Sequence, residues 1–285
     1  MDTTLVYSAV IASAFLHALW NALLKREKDP EIAGAGFWLV CAAGAVVSAI
    51  PSLLARLPSG PEAAWSAAAG GFEAIYVVSL SRALARAPLG PVYTISRGGA
   101  LVVVWPISIL LLGESITGTA LAGTALVGAG LAVTGLGGPR SPARAGERGW
   151  LLLASTAAAA IAGYHLCYKQ ALAIGAAPQV VFAISLGLAG PVNALRLSAP
   201  ARARLAAAFR ARLAILVAGG ALSAGSFLIF LFALAQGGAG FVLTLRNTSI
   251  LFAQAMAWAI GERPTRTGVI GAVAVALGAV LLGLR

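Results

Sequence analysis

The sequence predicts an all-α polytopic membrane protein, with ten transmembrane helices built as two inverted five-helix repeats. Three observations carry this. Of 285 residues, 60% are apolar and 10% charged, with 34 glycines, whereas a soluble domain carries about 25% charged residues. Ten segments are each apolar enough to fill a bilayer core, which takes about 20 residues of helix. Residues of the first half return, in order, in the second.

The segments are 4–24, 32–56, 64–86, 90–112, 118–137, 149–172, 178–197, 212–235, 239–260 and 267–284. Their long, non-alternating runs exclude a barrel, whose strands would show a period of two over about 10 residues. The first segment follows Asp2 rather than a basic region and lacks a small-residue cleavage site before Lys25. It therefore reads as a span and not as a signal peptide. Cys41 and Cys167 each lie in an apolar run, which excludes a disulfide framework and a Cys-rich metal site.

The repeat shows in five places. Trp20 and Lys25 return with the same separation as Tyr164 and Lys169, and Pro51 with Arg56-Leu57 returns as Pro191 with Arg196-Leu197. Arg97 in the fourth span matches Arg246 in the ninth, and Gly113-Glu114 matches Gly261-Glu262. Gly123, Gly130 and Gly135 repeat as Gly271, Gly278 and Gly283. The units are 1–138 and 149–285, joined by a linker at 139–148. Five spans is an odd number, so the second unit enters the membrane upside down, and exchanging the conformations of the halves gives alternating access.

These residues resemble the drug/metabolite transporter superfamily, in particular its ten-helix EamA-type members. The resemblance spans nearly the whole chain and rests on the two five-helix units, Trp20-Asn21 with Lys25, the paired Gly-Glu ends and the glycine-spaced fifth and tenth helices. One departure is Tyr164, which stands where the first half has Trp20. The resemblance implies a carrier of amino acids or other metabolites, like the YddG-type exporters, with nucleotide-sugar and triose-phosphate carriers as more distant relatives. It identifies the superfamily better than the substrate.

Charge argues orientation. The gaps after odd-numbered spans hold Lys25, Arg26, Lys28, Arg82, Arg86, Arg140, Arg144, Arg148, Arg196, Arg202, Arg204, Arg210, Arg212, Arg263 and Arg266; the opposite side holds Arg56, Lys169 and Arg285. Fifteen against three places the odd gaps in the cytoplasm and both termini outside, whereas the resemblance implies cytoplasmic termini. Residues Ala201 to Leu213 read as a solvated basic connector attracted to anionic headgroups. A basic surplus confined to such gaps gives no support for nucleic-acid binding.

The two remaining cations are Arg97 and Arg246, both deep in spans, where ionisable residues are expensive and point to function. As symmetry mates they suit a carboxylate or phosphate through forked hydrogen bonds; the alternative is that they lock helices together through carbonyls or Glu73. Glu73, mid-span, reads either as a carrier of a coupled proton or as the counter-ion of one arginine. His17, Asn21 and Lys25 share a helical face beside Trp20, and Tyr164, His165, Tyr168 and Lys169 echo it. Arg97, Arg246, Glu73, Tyr76, His17, Trp20, Asn21, Tyr164, His165 and Asn247 form the candidate substrate site. Tyr93 precedes Arg97 by one turn, Gln254 adds an amide, and Trp105 and Trp258 read as interfacial anchors.

Pro51, Pro106 and Pro191 permit kinks, moving or static. The glycine columns serve close packing, between the halves or in a homodimer, and the Gly-Glu pairs serve turns and caps. No nucleotide loop, zincin pair or hydrolase elbow occurs, so no cofactor or enzyme chemistry is expected. The expectation is a multi-pass inner-membrane secondary transporter, exporting a small metabolite with an anionic group, an amino acid first. A phosphorylated or phosphonate cargo is the alternative, and a non-transporting scaffold or receptor the alternative of another class.

Overall fold

The computed structural model describes residues 3–112, 117–136, 149–236, 242 and 245–283. Among them every regular element is helical: α1 Thr3–Arg26, α2 Pro30–Ala55, α3 Gly60–Leu84, α4 Leu89–Leu112, α5 Gly118–Leu136, α6 Gly149–Ala173, α7 Pro178–Leu195, α8 Ala199–Ala211, α9 Leu213–Gln236, α10 Ser249–Ala259 and α11 Arg266–Gly283. Six of them, α1, α2, α3, α6, α7 and α9, are long and apolar enough to cross a membrane, and α4, α5, α10 and α11 are apolar over shorter described stretches. The linker with Arg140, Arg144 and Arg148, and the pair Gly113-Glu114, lie outside the described residues.

Local chemistry sets several boundaries. Asp29 accepts a hydrogen bond from the Ile32 N–H ahead of Pro30 at the start of α2, which is an N-cap followed by proline in the first turn. Ser59 and Glu62 form a reciprocal capping box at α3. Gly261 ends the α10 segment with φ +88°, a conformation glycine adopts without strain. Glu262 then accepts from the Leu89 N–H at 2.8 Å. The Gly-Glu pair is thus a turn and a cap, but the cap belongs to α4 in the other half.

Two segments depart from the sequence reading. The basic connector is a helix, α8, because Ala201 and Leu205 recur one turn apart and bury against Ile32, Ala35 and Leu197, leaving Arg202, Arg204 and Arg210 outside. The 239–260 segment is broken by a turn at Asn247–Thr248. There the bonds tighten to three-residue steps, Thr248 N–H to Leu245 O at 3.1 Å and Ile250 N–H to Asn247 O at 3.0 Å, and the Thr248 hydroxyl also donates to Leu245 O at 2.7 Å.

The helices pair across the two halves. α1 packs on α9 and α10 as α6 packs on α3 and α4, while α2 faces α7 and α5 faces α11. The last contact is backbone to backbone. A Cβ at Gly130 would lie 2.6 Å from Gly271 O, and one at Gly123 would lie 2.8 Å from Gly278 O. The two glycine columns therefore meet each other inside the chain, as small residues do when helices pack closely in membranes.

Ion pairs gather at one end. Arg82 and Arg196 both hold Glu31, at 2.9 and 2.6 Å; Arg212 holds Glu27; Arg204 reaches Asp29 at 3.5 Å; and Lys25 lies 3.7 Å from Glu262. Lys25 also donates to Leu84 O and Ala87 O, so it bridges α1, α3 and the loop before α4 rather than snorkelling. At the opposite end Arg56 holds Glu62 at 2.7 Å and donates to Gly175 O.

Candidate functional site

Arg97 sits in the third turn of α4 and is 2% exposed. Its guanidinium lies 5.9 Å from the ring centroid of Tyr93, one turn earlier. Its Nε and Nη2 have no hydrogen-bond partner. Arg246, beside the turn at Asn247–Thr248, is 1% exposed and stacks over Phe230 at 3.7 Å and Phe227 at 5.0 Å. Its Nη2 donates to His17 Nδ1 at 3.2 Å, while Nε and Nη1 are unpartnered.

A guanidinium only donates, so His17 Nδ1 is an acceptor. Trp20 Nε1 and the Ser226 hydroxyl also approach that nitrogen, each at 3.4 Å. The assigned tautomer therefore carries its proton on Nε2, 3.4 Å from the Tyr76 hydroxyl. Asn21 is fully buried and donates to His17 O at 2.7 Å, which tethers its amide to its own helix.

Arg97, Arg246, His165 and Asn247 line one pocket with Ala100, Leu101, Val104 and Ile161. Its volume is about 20 Å³, room for roughly one water molecule. The lining steps along α4 from Arg97 to Val104, away from the end where Lys25 and Glu31 are paired. Beneath it His17, Trp20, Trp38, Tyr76, Tyr164 and Phe227 form a continuous aromatic layer, with neighbouring centroids 5.2 to 6.1 Å apart. His165 stands edge-on to Tyr164 at 4.5 Å, with Nε2 unpartnered.

Glu73 forms no direct ion pair with either arginine among the described residues. Among the described residues no carboxylate comes within ion-pair distance of Arg97 or Arg246, and neither guanidinium is locked to helix-end carbonyls. Glu73 instead accepts from the Tyr168 hydroxyl of α6, because its helix face turns toward α6 and α7. Its other oxygen is buried and unpartnered.

The structure thus gathers His17, Trp20, Tyr76, Tyr164, His165, Arg97, Arg246 and Asn247 around one centre, with Asn21 as a support and Glu73 to one side. Gln254 lies apart, donating to Thr94 at 3.2 Å, and Trp258 is exposed. Trp38, Phe227, Phe230, Ser185 and Ser226 escape sequence reading, since an aromatic or serine in an apolar helix carries no signal of its own. Ser13 and Ser226 each donate to the other's carbonyl, at 2.7 and 3.0 Å, and pin α1 to α9 beside His17.

Such a centre can hold an anion: four guanidinium nitrogens with unspent donors lie in a buried, mostly apolar setting, where a charge-assisted hydrogen bond is strong. Outside the spans, burial raises the carboxyl pKa of Glu262, against the opposing pull of the Leu89 N–H and Lys25.

Residues 148–284 match the EamA-like transporter family, so the second half carries a domain of a family whose members are membrane transporters of small molecules. No curated protein matches the chain. A crystal structure described only as that of a protein is similar over 98% of this chain and 95% of its own, with TM-score 0.61 and 18% identity. That likeness speaks for the fold alone.

Proposed function

We propose that this chain is a secondary transporter exporting a small metabolite with an anionic group, an amino acid first, across the inner membrane. The observation that carries the reading is the pair Arg97 and Arg246: buried, lining one pocket, and ion-paired to no carboxylate among the described residues. Two guanidiniums are costly in a dry interior unless an anion or water meets them. A scaffold would have no use for that arrangement.

Alternating access of two inverted units, 1–138 and 149–285, supplies the motion. Its support is the reciprocity of the packing, α1 on α9 and α10 against α6 on α3 and α4, and the glycine columns that meet between α5 and α11. The pocket of about 20 Å³ is too small for an amino acid, so cargo entry requires the halves to move apart. The positive-inside count makes the ion-paired end cytoplasmic, which makes this conformation the one closed toward the cytoplasm. A phosphorylated cargo is the second reading, favoured because two positive charges with no ion-paired carboxylate among the described residues also match a dianion.

Counterflow of labelled amino acids in proteoliposomes tests the proposal, with a parallel set of phosphorylated metabolites. Accumulation of an amino acid that is lost in Arg97→Ala and Arg246→Ala supports it. Breaking one side of a buried charge interaction costs about 2–5 kcal/mol, so each variant loses roughly 30-fold or more in apparent affinity. Alanine variants that insert normally and move cargo with unchanged affinity would refute anion recognition by these residues.

A further inference from the structure

Glu73 is a fully buried carboxyl group in the middle of α3 that the arginine pair does not use. Its partners form a chain. The Tyr168 hydroxyl on α6 donates to Glu73 Oε1; that same hydroxyl lies 3.1 Å from Ser185 Oγ on α7; and Ser185 donates to Phe182 O at 3.2 Å. Gly70, one turn before Glu73, brings α3 against the Ser185 backbone, so the three helices are held close at this point.

Counting protons shows what the chain can do. With Glu73 ionised, Tyr168 donates to the carboxylate and Ser185 donates to Phe182 O. With Glu73 protonated on Oε1, every donor still has an acceptor: Glu73 to the Tyr168 oxygen, Tyr168 to Ser185, and Ser185 to Phe182 O. The change needs one phenolic hydrogen to rotate and no heavy atom to move. A buried network whose donors all keep acceptors in both protonation states, although Glu73 Oε2 accepts from none of them, is a place where a proton can be taken up and released without breaking the packing.

We propose that Glu73, Tyr168 and Ser185 form a proton-binding site that couples a proton to the anionic cargo at Arg97 and Arg246. The route between the two is short. Tyr164 lies one turn before Tyr168, with centroids 5.5 Å apart, and it packs on His165 in the pocket wall. Electrostatics sets the sign. A charge on Glu73 attracts the guanidinium of Arg246 and repels an incoming anion; a proton on Glu73 removes both effects. Proton and anion therefore favour each other's binding, by a factor of about ten and reciprocally.

The other titratable or charged groups buried on elements around α3 are Cys41 on α2, His17 on α1, Tyr93 and Arg97 on α4, Tyr164, His165 and Cys167 on α6, Arg246 before α10, and Glu62 and Tyr76 on α3 itself. None of them forms a hydrogen bond or ion pair with the Glu73 carboxyl among the described residues, so Tyr168 is the group that answers its change of charge.

The coupling rests on the transporter reading, but the proton site can be read without any cargo. Infrared difference spectra of the full chain in lipid, between mildly acidic and mildly alkaline pH, should show the carbonyl band of a protonated carboxyl. Glu73→Gln should remove that band, and Tyr168→Phe should shift it by deleting its partner hydroxyl. Proteoliposomes holding a pH-sensitive dye, given the twenty amino acids one at a time, should then show proton entry with whichever amino acid moves; Glu73→Gln should move it without protons. A wild-type difference spectrum identical to that of Glu73→Gln, or a band that Tyr168→Phe leaves in place, overturns the site. Cargo movement that follows sodium and not protons in the wild type overturns the coupling. If no amino acid moves, the transporter reading has lost its first cargo while the band still decides the proton site.

Discussion

Adding one methyl group at Gly130 should separate α5 from α11. The Cβ of Gly130→Ala would fall 2.6 Å from Gly271 O, 2.8 Å from Val275 Cγ2 and 2.9 Å from the Val275 backbone nitrogen. Two of these are backbone atoms and cannot rotate aside. Ordinary contact begins near 3.4 Å, so α11 must retreat by about 0.8 Å (3.4 less 2.6). A gap of about 0.5–1 Å forfeits a quarter to a half of each dispersion contact it opens, and overpacking of this kind costs about 1–3 kcal/mol. Helix propensity works the other way, since alanine is favoured over glycine by about 1 kcal/mol. Gly128→Ala isolates that gain, because Gly128 lies in the same helix with nothing within 4 Å of its added Cβ. The difference in thermal unfolding midpoint between the two variants in detergent therefore reads packing alone. Gly130→Ala should be less stable than Gly128→Ala by about 1–3 kcal/mol, and adding Gly271→Ala should cost less than the sum, because both methyls strain one contact. Equal midpoints for Gly130→Ala and Gly128→Ala would refute a backbone-to-backbone interface between the halves.

Arg246→Lys keeps a charge but loses the planar stack on Phe230 and the fork that reaches His17, so it should weaken cargo affinity while leaving expression and insertion unchanged; counterflow with titrated cargo checks it. Because burial raises the Glu262 pKa above its unfolded value, the stability it contributes is full below the unfolded carboxyl pKa and is lost as pH rises through the folded one. Glu262→Gln, which stays neutral, should flatten that fall in unfolding midpoints measured across the acidic to neutral range. A carboxy-terminal phosphatase reporter, active only in the periplasm, should be active if the fifteen-to-three count sets orientation, and a cytoplasmic fluorescent fusion at the same place should then be dark.

The positions of the apolar helices and the polar residues inside them were legible along the chain, because both follow from local composition. Arg97, Arg246, Glu73 and His17 stand out where almost every neighbour is apolar. The repeat also brought the glycine columns of α5 and α11 into view, though not the fact that they face each other. The α8 helix carried a readable signal, Ala201, Leu205, Ala208 and Phe209 at one-turn spacing, which its arginines masked when read as a charge run. The turn at Asn247–Thr248 had a weaker mark, the polar run Arg246 to Ser249 inside an apolar segment, since Asn and Ser favour turns but neither glycine nor proline sits there.

Sequence by itself determined the all-helical, membrane-spanning character, the approximate helix ends and the set of polar groups that the interior must accommodate. Only the tertiary structure decided who partners whom: Glu73 with Tyr168 rather than an arginine, Glu262 with the first turn of α4 in the opposite half, and Phe227 and Phe230 beneath Arg246. The physical reason is that helices apolar on every side have no strong amphipathic face to announce their rotation or depth. A polar side chain's position along such a helix is written in the chain, while the direction it faces is settled by the close packing of its neighbours.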